Sequence, residues 1–222
     1  YDYLLRQQGS FNPNVVRLAP LAGQNVGDLS YVQDNYFNLG PRIIKGWDFG
    51  VSMESGRTAL GRFSLDLNLA KLQKFRQSPS ALQDELIAAN AAGKFGSGIL
   101  IGSAGDLVKM NGSPRWRLQG DLTWKSGPFQ AGVSMNYVGQ VFDTGPAVIN
   151  GQLYELPSMT TVNTYIQWKG EKESALEGLR LRVGARNLFD KMPPLYSSNY
   201  GFLGSLHSPV GRLVYFEVSK DF

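Results

Sequence analysis

Gly178-Leu179-Arg180-Leu181-Arg182-Val183-Gly184-Ala185-Arg186-Asn187-Leu188-Phe189-Asp190 opens the last 45 residues of the chain, and Val214-Tyr215-Phe216-Glu217-Val218-Ser219-Lys220-Asp221-Phe222 closes them. Leu179, Leu181, Val183 and Ala185 fall on one face of an extended segment, with Arg180, Arg182 and Gly184 on the other. In the closing segment Val214, Phe216 and Val218 share a face with Phe222, opposite Tyr215, Glu217, Ser219 and Asp221. Alternation of period two marks strands, so this stretch reads as a strand, a long loop and a final strand reaching the last residue. Termini are usually the frayed part of a domain; this one reads as a working edge.

The same period recurs upstream. Residues 42–54 place Ile43, Trp47, Phe49, Val51 and Met53 opposite Arg42, Gly46, Asp48, Ser52 and Glu54. After a short turn at 55–59, residues 60–72 set Phe63, Leu65, Leu67 and Leu69 against Arg62, Ser64, Asp66 and Asn68. Residues 114–125 carry Trp116, Leu118, Leu122 and Trp124 on one face, and 129–138 carry Phe129, Ala131, Val133, Met135 and Tyr137, with the tight turn Ser126-Gly127-Pro128 between. Residues 158–169 place Val162, Ile166 and Trp168 opposite Asn163, Tyr165 and Gln167, and a charged turn at 170–177 leads into the opening stretch. Residues 7–41, 73–113 and 139–157 lack sustained alternation and read as loops. The second holds one predicted helix, Ser80 to Ala92, with Ser80 as N-cap, Gly93 as stop and a narrow stripe of Leu82, Leu86 and Ala89.

About seven antiparallel strands joined alternately by short turns and long loops are the rhythm of an outer-membrane barrel. Counting reversals back from Phe222, a periplasmic tail places the turns at 55–59, 126–128 and 170–177 on the periplasmic side as well. The same count puts Trp124, Phe129, Trp168 and Phe222 at one height on one face and Trp116 and Tyr137 at the opposite rim, the pattern of interfacial aromatic girdles. A soluble sandwich also alternates. It has no reason to align aromatics at strand ends, or to carry loops of roughly 35–40 residues.

Composition narrows the chemistry. There is no cysteine and one histidine, so thiolate metal sites, disulfide frameworks and multi-histidine catalysis are excluded. The formal charge of +4 is spread along the chain without a basic block suited to nucleic acid. No apolar run is long enough for a membrane helix, which leaves spanning strands open. The 26 glycines, 12 Phe, 10 Tyr and 4 Trp suit a glycine-kinked, aromatic-girdled barrel. No nucleophile elbow, phosphate loop or dinucleotide fingerprint occurs, and no catalytic set, metal site or cofactor site is expected. His207 has neither a second histidine nor a cysteine to join it as a ligand.

Binding residues are less sharply marked. Arg180, Arg182 and Arg186 share a face with Glu217 and Asp221 of the next strand, which predicts a cross-strand ladder pairing Asp221 with Arg180 and Glu217 with Arg182 or Arg186. An anionic-ligand site is the other reading of these arginines. The loop aromatics Tyr31, Tyr36, Phe37, Tyr154, Tyr196, Tyr200 and Phe202 could stack on a sugar or siderophore, or on each other; spacing does not decide.

Three features together resemble the C-terminal end of TonB-dependent outer-membrane receptors: Arg-Asn-Leu-Phe-Asp at 186–190 followed by Pro193 and Pro194, Pro-Val-Gly-Arg at 209–212, and the terminal Phe222 on an alternating strand. The Lys-Gly-Trp-Asp-Phe-Gly run from Lys45 adds to them, while Lys220 stands where the family usually has an aromatic or apolar residue. The resemblance implies the C-terminal part of a barrel of about 22 strands, in the outer membrane of a Gram-negative bacterium, with Val214, Phe216, Val218 and Phe222 as the signal for the barrel-assembly machinery. It implies uptake of a scarce nutrient (a siderophore, vitamin or oligosaccharide) driven by the TonB complex through a plug and contact segment N-terminal to these strands. A surface lipoprotein partner is left open. The start at Tyr1, without a leader, is expected to reflect a removed or missing N-terminal part. Rival readings are a small self-closed eight-stranded barrel with a structural or adhesive role, and an outer-membrane lipase or protease barrel, for which no Ser/His/Asp set is placed at a rim.

Overall fold

A computed structural model describes residues 15–33, 40–94, 100–145, 152–197 and 200–221. Tyr36, Phe37, Phe222 and the strand end expected near Tyr1 lie outside them. The chain divides into two compact units, residues 1–40 with 79–97, and residues 41–78 with 98–222.

The first unit holds a small antiparallel hairpin of β1 (Val15–Arg17) and β2 (Leu29–Val32), within what reads in sequence as plain loop, and helix α1 (Ala81–Ala91). The helix starts where its cap chemistry directs. The Ser80 hydroxyl accepts from Gln83 N, and the Gln83 side chain accepts from Ser80 N, a reciprocal capping box.

The second unit is dominated by one antiparallel sheet. Its strands are β3 (Arg42–Glu54), β4 (Arg62–Gln77), β6 (Trp116–Ser126), β7 (Phe129–Val138), β10 (Met159–Lys169), β11 (Leu179–Arg186) and β12 (Leu213–Lys220). They pair in the order β12-β11-β10-β7-β6-β4-β3, with the two-residue β5 (Gly105–Asp106) added at the end of β4. Within the described residues β3 and β12 are the free edges, so the sheet is open. A hairpin of β8 (Val141–Asp143) and β9 (Tyr154–Leu156) stands inside the loop expected at 139–157.

Register carries the side-chain segregation from strand to strand. One continuous row runs Val51, Leu67, Gly120, Met135, Val162 through β3, β4, β6, β7 and β10. Another runs Trp124, Ala131, Ile166, Val183, Phe216 through β6, β7, β10, β11 and β12. The opposite face carries Asp66, Asp121, Ser134 and Asn163 in one row. The apolar face is left open. Trp47 is 57% exposed, Phe49 55% and Phe216 68%, values that a face packed inside a sandwich would not allow. Buried apolar side chains gather instead at the loop end, where Val138 faces Met159 and Val141 faces Leu156.

Aromatics mark both ends of the open face. At the short-turn end Phe129 and Trp168 are direct cross-strand partners. Trp124 lies two residues from the partner of Phe129, Ser126, and its indole N–H donates to Leu60 O at 2.6 Å. At the loop end Trp47, Lys71 and Trp116 form one row, with Tyr137 a row deeper. Trp116 and Trp124 are eight residues apart, about 27 Å along a strand and about 20 Å along the normal at a tilt of about 40°. That approaches the apolar band of about 25 Å on outer-membrane barrels.

The strand expected at 60–72 runs on to Gln77. A bulge interrupts its alternation: Lys45 faces Lys74 but Gly46 faces Leu72, leaving Gln73 as the extra residue. Past that point the β4 parity shifts by one, which hides the strand from a period-two reading.

On the polar face glycine and tyrosine alternate across four strands. Tyr165 lies between Gly132 and Gly184, and Gly184 faces Tyr215. A Cβ on Gly184 would sit 2.6 Å from the Tyr215 ring and 2.7 Å from Thr164 O. Gly184→Val is therefore expected to cost about 1–3 kcal/mol in urea unfolding of the lipid-reconstituted protein. Gly50→Val, where a Cβ would meet only Asn68 Oδ1 at 3.5 Å, is the tolerated control; equal effects would contradict the packing.

Candidate functional site

The polar face of the sheet and the loop following β11 enclose a cavity of about 360 Å³, at the small end of ligand pockets. Asn136, Thr161, Asn163 and Arg186 line its wall together with the buried Val138 and Met159, and its roof sets His207 and Ser208 beside Leu206 and Val210.

The roof is held by a clamp built from the Asn-Leu-Phe-Asp and Pro-Val-Gly-Arg segments. Asn187 N donates to Asn163 Oδ1 at 2.9 Å, and Asn163 Nδ2 donates to Ser134 Oγ at 3.1 Å, tying the loop to the wall. The Asn187 amide donates to Lys191 O at 2.9 Å and Val210 O at 3.3 Å, and its oxygen accepts from Lys191 N at 2.9 Å. Asp190 Oδ1 accepts from Arg212 N at 2.7 Å. Gly211 leaves room for this contact, since a Cβ there would stand 2.7 Å from that oxygen and displace the carboxylate. Asn187 and Asp190 adopt φ of 48° and 53°, a region that Asn and Asp enter more readily than other non-glycine residues.

Below the cavity the arginines use aromatic faces as well as anions. Arg180 Nη2 donates to both carboxylate oxygens of Asp221 at 2.8 Å. Arg182 faces Glu217 in register but is engaged from its other side. Its Nε and Nη2 donate to Gln167 Oε1 at 3.1 and 2.8 Å, and its guanidinium lies 4.5 Å from the Tyr165 ring centroid. The Tyr165 hydroxyl accepts in turn from Gln130 Nε2 at 2.6 Å. Arg186 lies 5.8 Å over Tyr215 and has no ion pair or side-chain hydrogen bond among the described residues. The ladder expected for Glu217 is thus replaced by Arg–Tyr stacking, because the glycines let the tyrosine rings lie flat where a guanidinium can cover them.

The loops are tied to one another by a buried carboxylate that nothing in the sequence marks. Asp143, fully buried, accepts from Gly145 N and Ser197 N at 2.8 Å and from Ser197 Oγ at 3.0 Å. Asn111 and Thr144 bond reciprocally, and the Tyr196 hydroxyl donates to Asn111 Oδ1 at 3.5 Å. Burial and the Asp143 charge raise the Tyr196 pKa above its ordinary 10.0. Of the loop aromatics, Tyr196 feels the charge of this carboxylate and the exposed Tyr154 is the register partner of Asp143. Tyr200 projects at 85% exposure, Phe202 is half-buried, and Tyr31 is exposed on β2 in the first unit. Val214, Phe216 and Val218 are exposed along β12. Among the described residues no cluster of three or more metal-ligating side chains is present.

Burial holds the His207 pKa below its ordinary value of 6.5. The closed roof then binds fewer protons than the open one, so closure is favoured above pH 6.5 and weakens as pH falls from there through the lowered value. Amide exchange over Leu206 to Ser208, corrected for intrinsic chemistry, is expected to accelerate across that window, and His207→Gln to abolish the change. A pH-independent wild type would contradict it.

The sequence model of a family described as TonB dependent receptor-like, beta-barrel matches residues 5–188. It ends inside the clamp, so most of the motif-bearing tail lies beyond it. No curated protein matches the sequence. Among solved structures, a mutant of the ferric enterobactin receptor PfeA from Pseudomonas aeruginosa aligns with a TM-score of 0.50 at 16% identity, over 89% of this chain and 24% of that one. The copper transporter OprC aligns at 0.46 and 16% identity, over 81% and 23%. The chain thus spans about a quarter of the length of these structures, and the first of them shares its fold.

Proposed function

The chain belongs to the TonB-dependent receptor-like β-barrel family, and from that premise we propose that it forms the C-terminal wall of an outer-membrane receptor importing a scarce nutrient. The observation that carries this reading is the two-faced sheet. Seven strands present an open apolar face, belted by aromatics at both ends, and a polar face with arginines on the other. Such a sheet is at rest only with hydrocarbon on one side and water or polar protein on the other. The edges that β3 and β12 leave free among the described residues favour a wall within a larger barrel of about 22 strands over a small self-closed one.

In this reading the tied loops face the medium, and the cavity beneath the last loop contributes to ligand capture. Amides, hydroxyls and the Arg186 guanidinium, set among Val138, Met159, Leu206 and Val210, suit a ligand that carries negative charge and apolar surface together, as catecholate siderophores do. Coupling to the TonB complex runs through a plug N-terminal to these strands. The exposed β12, with Val214, Phe216 and Val218 on its apolar face, is the strand offered to the barrel-assembly machinery.

The test is import by cells carrying the intact gene, given ferric catecholate, cobalamin or maltodextrin in turn. One of the three is expected to be taken up only when TonB is functional. Arg186→Ala is expected to lower that uptake about tenfold or more, as lost charge-assisted bonds do, with unchanged protein in the outer membrane. Import indifferent to TonB, or protein recovered in the soluble fraction, would overturn the proposal.

A further inference from the structure

The loop-end rim carries positive charge that neither the cavity nor the loop contacts use. In its aromatic row the Lys71 ammonium lies 4.7 Å from the Trp116 ring centroid, and Trp47 Nε1 donates to Gln73 Oε1 at 3.1 Å. Just beyond that row, β3 and β4 pair Lys45 directly with Lys74 and Ile43 with Arg76. Lys45 stands two residues from Trp47 and so shares its face. Lys74 and Arg76 come to the same face as the partners of Lys45 and Ile43, because the bulge at Gln73 shifts the parity of β4. Four cations therefore leave the sheet on its apolar side, Lys71 within the aromatic belt and Lys45, Lys74 and Arg76 immediately outside it.

Of these cations only Arg76 has an acid opposite it in register; Lys45 and Lys74 face each other. Lys45, Lys74 and Arg76 are exposed, and none has an ion pair or side-chain hydrogen bond among the described residues. The acid opposite Arg76 in register is Asp106, whose Oδ1 accepts from Val108 N at 3.0 Å. Two ammonium groups directly opposite one another on an antiparallel pair repel. On this face, at this depth, the groups next to them are lipid headgroups, since interfacial Trp and Tyr mark the headgroup level.

The geometry points to a binding site for the phosphate of anionic lipid headgroups on the loop side of the membrane, an inference that rests on the membrane-barrel reading. Lys45 and Lys74 approach one phosphate from two strands. Arg76 adds a planar fork matched to two phosphate oxygens, and Lys71 runs its stem along Trp116 with its ammonium at the same level. The bulge serves the site, because without it Lys74 would point away from Lys45.

The intact protein, extracted in detergent and stripped of lipid, can be titrated with phosphatidic acid and phosphatidylcholine, followed by native mass spectrometry. Phosphatidic acid is expected to be retained about tenfold or more in preference to phosphatidylcholine, as basic residues at a membrane surface attract anionic lipid. Lys45→Gln/Lys74→Gln/Arg76→Gln should lose that preference, and Lys125→Gln, on the polar face, should keep it. Equal retention of the two lipids by the wild type would overturn the site. So would displacement of phosphatidic acid by an equal concentration of inorganic phosphate. Failure to retain either lipid would overturn the membrane reading, and this inference with it. Should the triple variant not fold, the wild-type preference must still shrink as salt rises from about 0.05 to 0.5 M, and a salt-independent preference would refute it.

Discussion

The two-faced sheet and the loops it carries depend on the register of the strand pairing. Each long strand segregates its side chains by parity, and each antiparallel ladder matches apolar with apolar and polar with polar across seven strands. A slip of one residue in any ladder would turn a strand inside out. In a membrane that would bring Asp66 or Arg182 to hydrocarbon, at about 2–4 kcal/mol for a basic residue near the midplane. The main-chain groups have no alternative either, since every N–H and C=O within the band must find its partner in the next strand. Register, lipid contact and the polar bore are one constraint seen from three sides.

The clamp at the end of β11 gives physical content to the motifs that link the tail to its family. Asn187 and Asp190 take left-handed backbone positions and spend their side chains on Lys191, Val210 and Arg212. The two segments, some twenty residues apart, therefore stand as one unit, and the loop between them is fixed at both feet. Its middle is fixed by Asp143 through Ser197. A roof held at its feet and middle can keep a cavity open above the wall, over the small apolar patch of Val138 and Met159.

What the sequence discloses follows from which interactions are local. Alternation placed all seven long strands, and the Ser80 hydroxyl with Gln83 three residues on predicts the helix start. Both signals lie within a few residues of the structure they determine. The bulge at Gln73 breaks alternation without breaking the strand, so β4 reads five residues short. The Arg182–Tyr165 stack needs the knowledge that Gly132 and Gly184 flank the ring, which only cross-strand register supplies. Asp143 is one polar residue in a turn-rich loop until Ser197, 54 positions away, comes back to meet it. Long-range partners of that kind leave no periodic trace.

The absence of cysteine from the chain permits the most direct test of the two-faced wall. Single substitutions from Val162→Cys to Trp168→Cys, each spin-labelled in lipid vesicles, report whether every position meets oxygen dissolved in hydrocarbon or a water-soluble nickel chelate. Positions 162, 164, 166 and 168 should favour oxygen, and 163, 165 and 167 should not, in strict alternation along β10. Labels at 164 and 166 shielded from both relaxing agents would place that face against protein, and the account would be wrong.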